Sequence, residues 1–520
     1  MNRTIRSFIN TALALISILA LGGLPAFPAH GQTSDPRYLI GTYLGGPRSD
    51  YGRAVAIDAQ GYIYIAGDLF SSTFSGFDIP KYGGRDVLVL KLSPDGKEIL
   101  AGASAGSTSD DEALDMIVTP AGEPILTIRP GAKWPTSNAL HPEPTRGNEG
   151  VLIKFNAALE EVFSTYTLID MSNQGGQNIA LDAQGNIYVT GDRYVASTVA
   201  RDLIIQKYSP NGQQLLFERI WDGDRSSEYG YAINVQPDGS AYITGVISGD
   251  GNDFAITPDA QQKSCGRKLA LGDDRACDDD AFVVMLNPDG TTRYASYLGG
   301  NGGDKGVDIA VDGQGGVVIA GTTFSADFPI TNGALLPACK ASSPENGCYY
   351  DTFVTRLGAD GQIIYSTYLN SNDAESMDFI SRVAVDASGN ATIVGRTSGQ
   401  LFPVQNPIQS SLVATPCLLS SFTRFCYDTF ITTLSPTGLL IFSTYLGGEN
   451  DEAPEDVALG TDGSVYVVGS TESRSYPVAP GARQASISGG SDFFLARVKL
   501  NNLPDTIIRP FSVGLPLIQR

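Results

Sequence analysis

Tyr297-Leu298-Gly299-Gly300, Val311-Asp312-Gly313-Gln314-Gly315 and Asp351-Thr352-Phe353-Val354 are the cleanest copy of a pattern that recurs seven times along this chain. Short alternating apolar runs parted by Gly-rich turns, with a period of roughly 55–80 residues, are the mark of radially repeated β-sheets. In the fifth copy Gly306 to Val311 reads as strand A, Val317 to Gly321 as B, Asp351 to Leu357 as C and Ile363 to Leu369 as D. The A–B and C–D connections, Asp312-Gly313-Gln314-Gly315 and Gly358-Ala359-Asp360-Gly361, are hairpin turns in which Gly supplies the positive φ. The same two turns recur as Asp58–Gly61 with Ser93–Gly96, and as Asp386–Gly389 with Ser435–Gly438. The expectation is an all-β, seven-bladed propeller of four-stranded blades over residues 36–500.

Ser443-Thr444-Tyr445-Leu446-Gly447-Gly448, Ala384-Val385-Asp386-Ala387-Ser388-Gly389-Asn390 and Asp280-Ala281-Phe282-Val283 resemble the repeat motif of the SBBP proteins, a β-propeller repeat family. The resemblance spans nearly everything from Tyr38 to Leu500. It implies the fold and no single activity.

Some units depart from the pattern. Ile128 stands where the other B strands end in Gly67, Gly191, Gly245, Gly321, Gly395 and Gly469, and Glu149 replaces the Asp that opens strand C elsewhere. The final strand of this second unit reads weakly, around Ala101 to Ala105, and the third unit has the shortest B–C loop. After the last strand C, Asp492 to Val498, no strand D follows, whereas an orphan strand, Tyr38 to Leu44, precedes the first unit. The N-terminal segment is therefore expected to complete the last blade, because an open ring would leave raw sheet edges.

Arg3 and Arg6, an apolar segment from Phe8 to Leu21 and Ala29-His30-Gly31 have the order of a secretory leader over residues 1–31, and no membrane span is expected after cleavage. A net charge of −21 argues against nucleic acid as a partner. All six cysteines lie in three long loops and are expected to pair locally, Cys265 with Cys277, Cys339 with Cys348 and Cys417 with Cys426.

Because strands alternate in direction, the A–B and C–D turns share one face and the B–C and D–A connections the other. The second face carries the long loops, Val246 to Asp279, Thr322 to Tyr350, Arg396 to Tyr427 and Ser470 to Ser491. Function is expected there, since binding residues concentrate on loops held by a rigid scaffold. Asp50, Asp111, Gln174, Glu228, Asp304, Asp378 and Glu452 recur at one position of the D–A loops, acidic in six units of seven. They are candidates for a ligand or cation site, Ca²⁺ being the ion considered, or for caps on their own loop's N–H groups, the reading preferred here. Asp86, Asp202, Asp280, Asp351, Asp428 and Asp492 open the C strands and are expected to tie a loop to the sheet.

After the leader a single histidine remains, His141, which excludes multi-histidine metal centres. No phosphate-cradling Gly-x-x-x-x-Gly-Lys loop is present. Leu503-Pro504-Asp505-Thr506 begins like a sortase signal but continues with Ile507, and the tail 501–520 is expected to pack loosely. The functional expectation is an exported, monomeric binding or scaffold module without a cofactor, taking an extracellular protein or glycan on its long-loop face. The alternative is a propeller enzyme, a carboxylate-based glycoside hydrolase or lyase acting on an extracellular polymer.

Overall fold

The computed structural model describes residues 8–9, 33, 35–170, 178–196, 200–221, 223, 226–249, 254–266, 279–343, 347–373, 376–413, 416–418 and 423–500. Apart from Phe8–Ile9, which pair with Ala101 and Gly102, the leader lies outside them, as do Gln174, Cys277 and the tail 501–520.

The described residues form antiparallel sheets and no helix. In the fifth unit Asp304–Val311, Val317–Thr323, Asp351–Leu357 and Ile363–Tyr368 pair in the order A, B, C, D. The fourth and sixth units have the same order. Each tight turn closes in one way: Gly315 donates to Asp312 O at 3.1 Å, and Gly61, Gly96, Gly389 and Gly438 do the same three residues on from their acceptors.

Three features correct or extend the sequence reading. The weak strand around Ala101 belongs to the first unit, where Ile99–Ala105 is the full outer strand paired with Asp86–Leu92; the second unit's outer strand is Glu161–Asp170. Ile128 has a smaller cross-strand neighbour than the glycines whose place it takes. Elsewhere the strand-B glycine faces a large side chain, as in Gly245↔Phe282, Gly321↔Phe353, Gly395↔Phe430 and Gly469↔Phe494, whereas Ile128 faces Val151. At those glycines an added Cβ would meet a strand-A carbonyl first, Tyr229 O at 1.8 Å from Gly245 and Lys305 O at 2.0 Å from Gly321, and the facing Phe ring next. Finally, the second and third units form one continuous sheet through the pair Asp170↔Asp192.

Tyr38–Leu44 pairs antiparallel with Asp492–Lys499 and completes the four-stranded sheet of the last unit. Tyr38, Ile40, Tyr43 and Leu44 are buried, and the two tyrosine hydroxyls donate to Pro477 O and Ser473 O, both at 2.9 Å. The A strands neighbour one another from unit to unit, and the first unit's Tyr51–Ile57 lies against both Glu112–Val118 and Glu452–Leu459. A side chain of one unit accepts a backbone N–H of the next: Asp115 from Ile179 (3.0 Å), Asn178 from Ile233 (3.0 Å), Asp308 from Val383 (2.7 Å) and Asp456 from Val55 (2.8 Å).

One turn breaks the glycine rule. In the second unit Leu159, at φ 60°, donates to Asn156 O where the other C–D turns use Gly. A left-handed leucine costs about 1–2 kcal/mol, but this side chain is fully buried in the core with Phe155 and Tyr166, worth about 2–3 kcal/mol before any cavity is counted. Burial wins. Leu159→Gly is expected to lower stability by about 1–3 kcal/mol despite relieving the turn, read as a lower urea midpoint; an unchanged or raised midpoint would show that the turn dominates.

Candidate functional site

Beneath the long-loop face, the seams between consecutive units that hold the six candidate acids are built around carboxylates. Asp50 accepts from Gly46 N (2.9 Å) in its own D–A loop and from Phe70 N (2.9 Å), Ser71 N (3.0 Å) and Ser71 Oγ (2.8 Å) in the B–C loop. Asp111 accepts from Ser107 N (2.6 Å), Ser107 Oγ (2.7 Å) and Gly131 N (2.9 Å). Asp304 takes Gly300 N (2.7 Å) and Ser325 Oγ (2.7 Å), Asp378 takes Ser371 N (3.0 Å), Glu452 takes Gly448 N (3.0 Å) and Thr471 Oγ1 (2.8 Å), and Glu228 accepts from Ser226 Oγ. All six candidates are fully buried.

The carboxylates that open the C strands hold the far ends of the B–C loops. Asp86 accepts from Tyr82 N and Gly83 N, Glu149 from Thr145 N, Asp351 from Lys340 N, Asp428 from Val413 N and Gln409 Nε2, and Asp492 from Ser488 N and Gly489 N. The two sets meet across the D–A glycines. A Cβ on Gly299 would stand 2.6 Å from Asp280 Oδ1 and 2.7 Å from Asp304 Oδ2, and one on Gly447 would stand 2.4 Å from Glu452 Oε2 and 2.5 Å from Asp428 Oδ1. The Leu-Gly-Gly motif is thus a spacing requirement: two acids press on the first glycine.

Burial decides the proton affinity of these groups. Desolvation pushes Asp304 and Asp428 up to about 7, and Glu452 rises as well, from burial first and then from its neighbour Asp428. In the seam of the fifth and sixth units the buried Lys340 ammonium stands 3.8 Å from Asp351 and 3.9 Å from Asp378. Desolvation still raises both to about 6, with the lysine opposing it.

A second network is built at one further repeat position, the strand-A residue just past the bulge, held by Asp115, Asp308, Arg382 and Asp456 in four of the units. Arg382, on an A strand, reaches Asp115 of the second unit (3.6 Å) and Asp456 of the seventh (3.4 Å). Desolvation lifts Asp456 to about 7 and Asp308 to about 6, with Arg382 acting against it on both. One guanidinium therefore ties acids of distant units among the inner strands. Only the fold brings them together.

Among the described residues no three ring carboxylates lie within common reach of one ion. The groups of three that do, Cys339, Cys348 and Asp351, and Cys417, Cys426 and Asp451, contain cysteines already bound to each other. Those two disulfides, with Cα separations of 5.7 and 5.2 Å, each staple one B–C loop. Cys265 is also disulfide-bonded, while its expected partner Cys277 lies outside the described residues. His141 is tied through its backbone, its N–H donating to Thr165 Oγ1 at 2.8 Å.

These contacts give the seam acids a load to carry. Asp304→Ala is expected to cost about 1–3 kcal/mol by stranding a buried N–H and a hydroxyl. Melts in excess Ca²⁺ and in excess chelator are expected to coincide; a shift of several degrees that disappears in Asp304→Asn/Asp378→Asn would instead establish a cation site.

Among the described residues, two of the cavities that open on the long-loop face stand out by volume. One, about 500 Å³, is lined by Gly45, Gly46, Ser75, Arg483, Gln484 and neighbours. The other, about 610 Å³, lies at the seam of the second and third units and gathers Arg146, Asp170, Arg193, Tyr194 and Arg201.

Residues 40–68 match the model of the SBBP β-propeller repeat. No curated protein matches the chain. Solved structures that resemble it include a polysaccharide lyase described as a PL25 ulvan lyase, at 11% identity over 89% of this chain and 96% of that one with a TM-score of 0.43. The polysaccharide lyase Uly1 matches at 8% identity over 88% and 90%, TM-score 0.44. A protein of unknown function from Bacteroides caccae matches at 12% identity over 63% and 94%, TM-score 0.29.

Proposed function

We propose that this SBBP-repeat chain is a seven-bladed propeller, closed into a ring by Tyr38–Leu44, that works outside the cytoplasm as a binding module through its long-loop face. The observation that carries this reading is the asymmetry of the two faces. One is tight turns only; the other holds the stapled loops and the two cavities. Ring closure is supported by the last unit's sheet and by Asp456 accepting Val55 N. Export is supported by the disulfides, which persist in oxidising compartments. The acids with near-neutral proton affinity, Asp304 and Asp428, are sealed in the seams, and this favours binding over carboxylate catalysis on a polymer.

The test uses affinity electrophoresis of the mature protein through gels holding extracellular polysaccharides, one per gel. Retardation is expected in at least one. The loop-face variant Tyr194→Glu/Tyr349→Glu/Leu401→Glu should lose it, and Leu216→Glu/Ile364→Glu, exposed on the outer strands, should keep it. Equal behaviour of the two variants would overturn the assignment of the face, and falling viscosity of the polymer with time would establish the enzyme instead.

A further inference from the structure

The 610 Å³ cavity exists because the third unit is short where its neighbours are long. Its B and C strands, Ile187–Val195 and Ala200–Tyr208, run on to the pair Val195↔Ala200, so the connection between them is residues 196–199 alone. The rim of long loops therefore has a notch at this seam. Its floor is rigid, because Asp170↔Asp192 joins the two sheets and Asp170 Oδ2 accepts Tyr194 N at 2.6 Å.

Into this notch a strongly acidic protein turns three guanidinium groups. Arg146, from the second unit's loop, is 43% exposed; its Nη1 donates to Tyr194 O at 3.4 Å and faces Asp170 at 3.8 Å. Arg193 reaches Asp202 at 3.4 Å, and Arg201 is held by Asp192. A guanidinium offers five donors, so each of these contacts leaves several N–H groups for a ligand. Arg193 Nε is buried and has no partner. Beside them the Tyr194 ring is 43% exposed and lies against Arg201, 5.8 Å from its guanidinium carbon.

From this the geometry points to a subsite for an anionic saccharide, a sugar bearing a carboxylate or a sulfate, with guanidinium groups gripping the anion and the Tyr194 ring supporting the sugar's apolar face. Planar forks match a carboxylate or sulfate edge better than ammonium groups do. A flat exposed ring adds contact area at little entropic cost. The volume falls in the range of small-ligand pockets. Of the polyanions that could use the forks, a saccharide uses the ring as well; an acidic peptide needs only the charges. The inference rests on the binding role of the long-loop face and narrows it to one notch and one ligand class.

Titration calorimetry of the intact mature protein against oligogalacturonate, a sulfated oligosaccharide, neutral dextran oligomers and poly-glutamate tests it. Binding is expected for at least one of the first two, weakening as salt rises, and stronger by about ten-fold or more than for dextran or poly-glutamate. Arg146→Gln/Tyr194→Ala should lower that affinity about ten-fold or more while leaving the melting temperature unchanged, since both side chains are largely outside the core. Equal affinity in the variant, equal binding of dextran, or equal binding of poly-glutamate would each overturn the subsite. Should neither anionic sugar bind while the electrophoresis still separates the two faces on another polymer, the subsite falls and the binding role stands.

Discussion

A chain beginning at Pro47 is expected to melt far below the full-length protein, with a loss on the order of 6 kcal/mol or more. Four side chains set the scale: Tyr38, Ile40, Tyr43 and Leu44 are 0–5% exposed, and each is worth about 1.5–3 kcal/mol when fully buried. The ladder to Asp492–Lys499 is lost with them, and the edge left behind is apolar on both faces, with Phe493, Phe494 and Leu495 all fully buried in the intact sheet. A synthetic peptide covering 32–46 should raise the truncated protein's melting temperature in a concentration-dependent way. Coincident melts of the truncated and full-length proteins would mean that the pairing contributes nothing.

The second large effect is on pH. In the unfolded chain Asp304, Asp428 and Asp456 titrate near 3.8, and in the folded protein desolvation places them at about 7. Between those values the folded state binds more protons than the unfolded state, so stability falls as pH rises. The contribution is fully present below about pH 4 and is lost by the time pH has passed through about 7. Each shifted unit is worth about 1.4 kcal/mol, so several such groups together move stability by several kcal/mol. The melting temperature is therefore expected to be higher near pH 5 than near pH 8. Asp304→Asn, which keeps a neutral acceptor in place, should flatten part of that slope. The opposite slope would mean that these carboxylates stay ionised in the fold.

What could be read from the residues, and what could not, follows from sequence distance. The strand order and turns of the fifth unit are set by neighbours a few residues apart, and Asp312-Gly313-Gln314-Gly315 closes as its composition requires. The intraloop pairs Cys339–Cys348 and Cys417–Cys426 are local in the same sense. The acids at the head of six A strands and those that open the C strands were visible as two repeats, but their meeting across Gly299 and Gly447 was not, because a glycine in a turn-rich chain reads as a turn and not as a space for two carboxylates. Arg382 is one charge of opposite sign at a position that other units fill with acids, and the repeat motif does not mark that position. Its partners Asp115 and Asp456 stand at the same strand-A position of the second and seventh units, as Asp308 does in the fifth, while the first, third and fourth carry Ala54, Asn178 and Ala232; only the strand register aligns them. The notch at Tyr194 was half visible, as a short loop, while the three arginines that fill it come from two different units.

The pairing of Tyr38 with Val498 also sets a timetable. Tyr38–Leu44 leaves the ribosome long before its partner, because Asp492–Lys499 is made more than 400 residues later. Throughout synthesis an apolar segment must wait unpaired, and the long closure makes the final docking slow. Units in the middle of the chain can form as they appear, each from local hairpins, but the last sheet completes only once both termini are present. That delay leaves an interval, between the first sheet and the last, in which the chain is open at one edge.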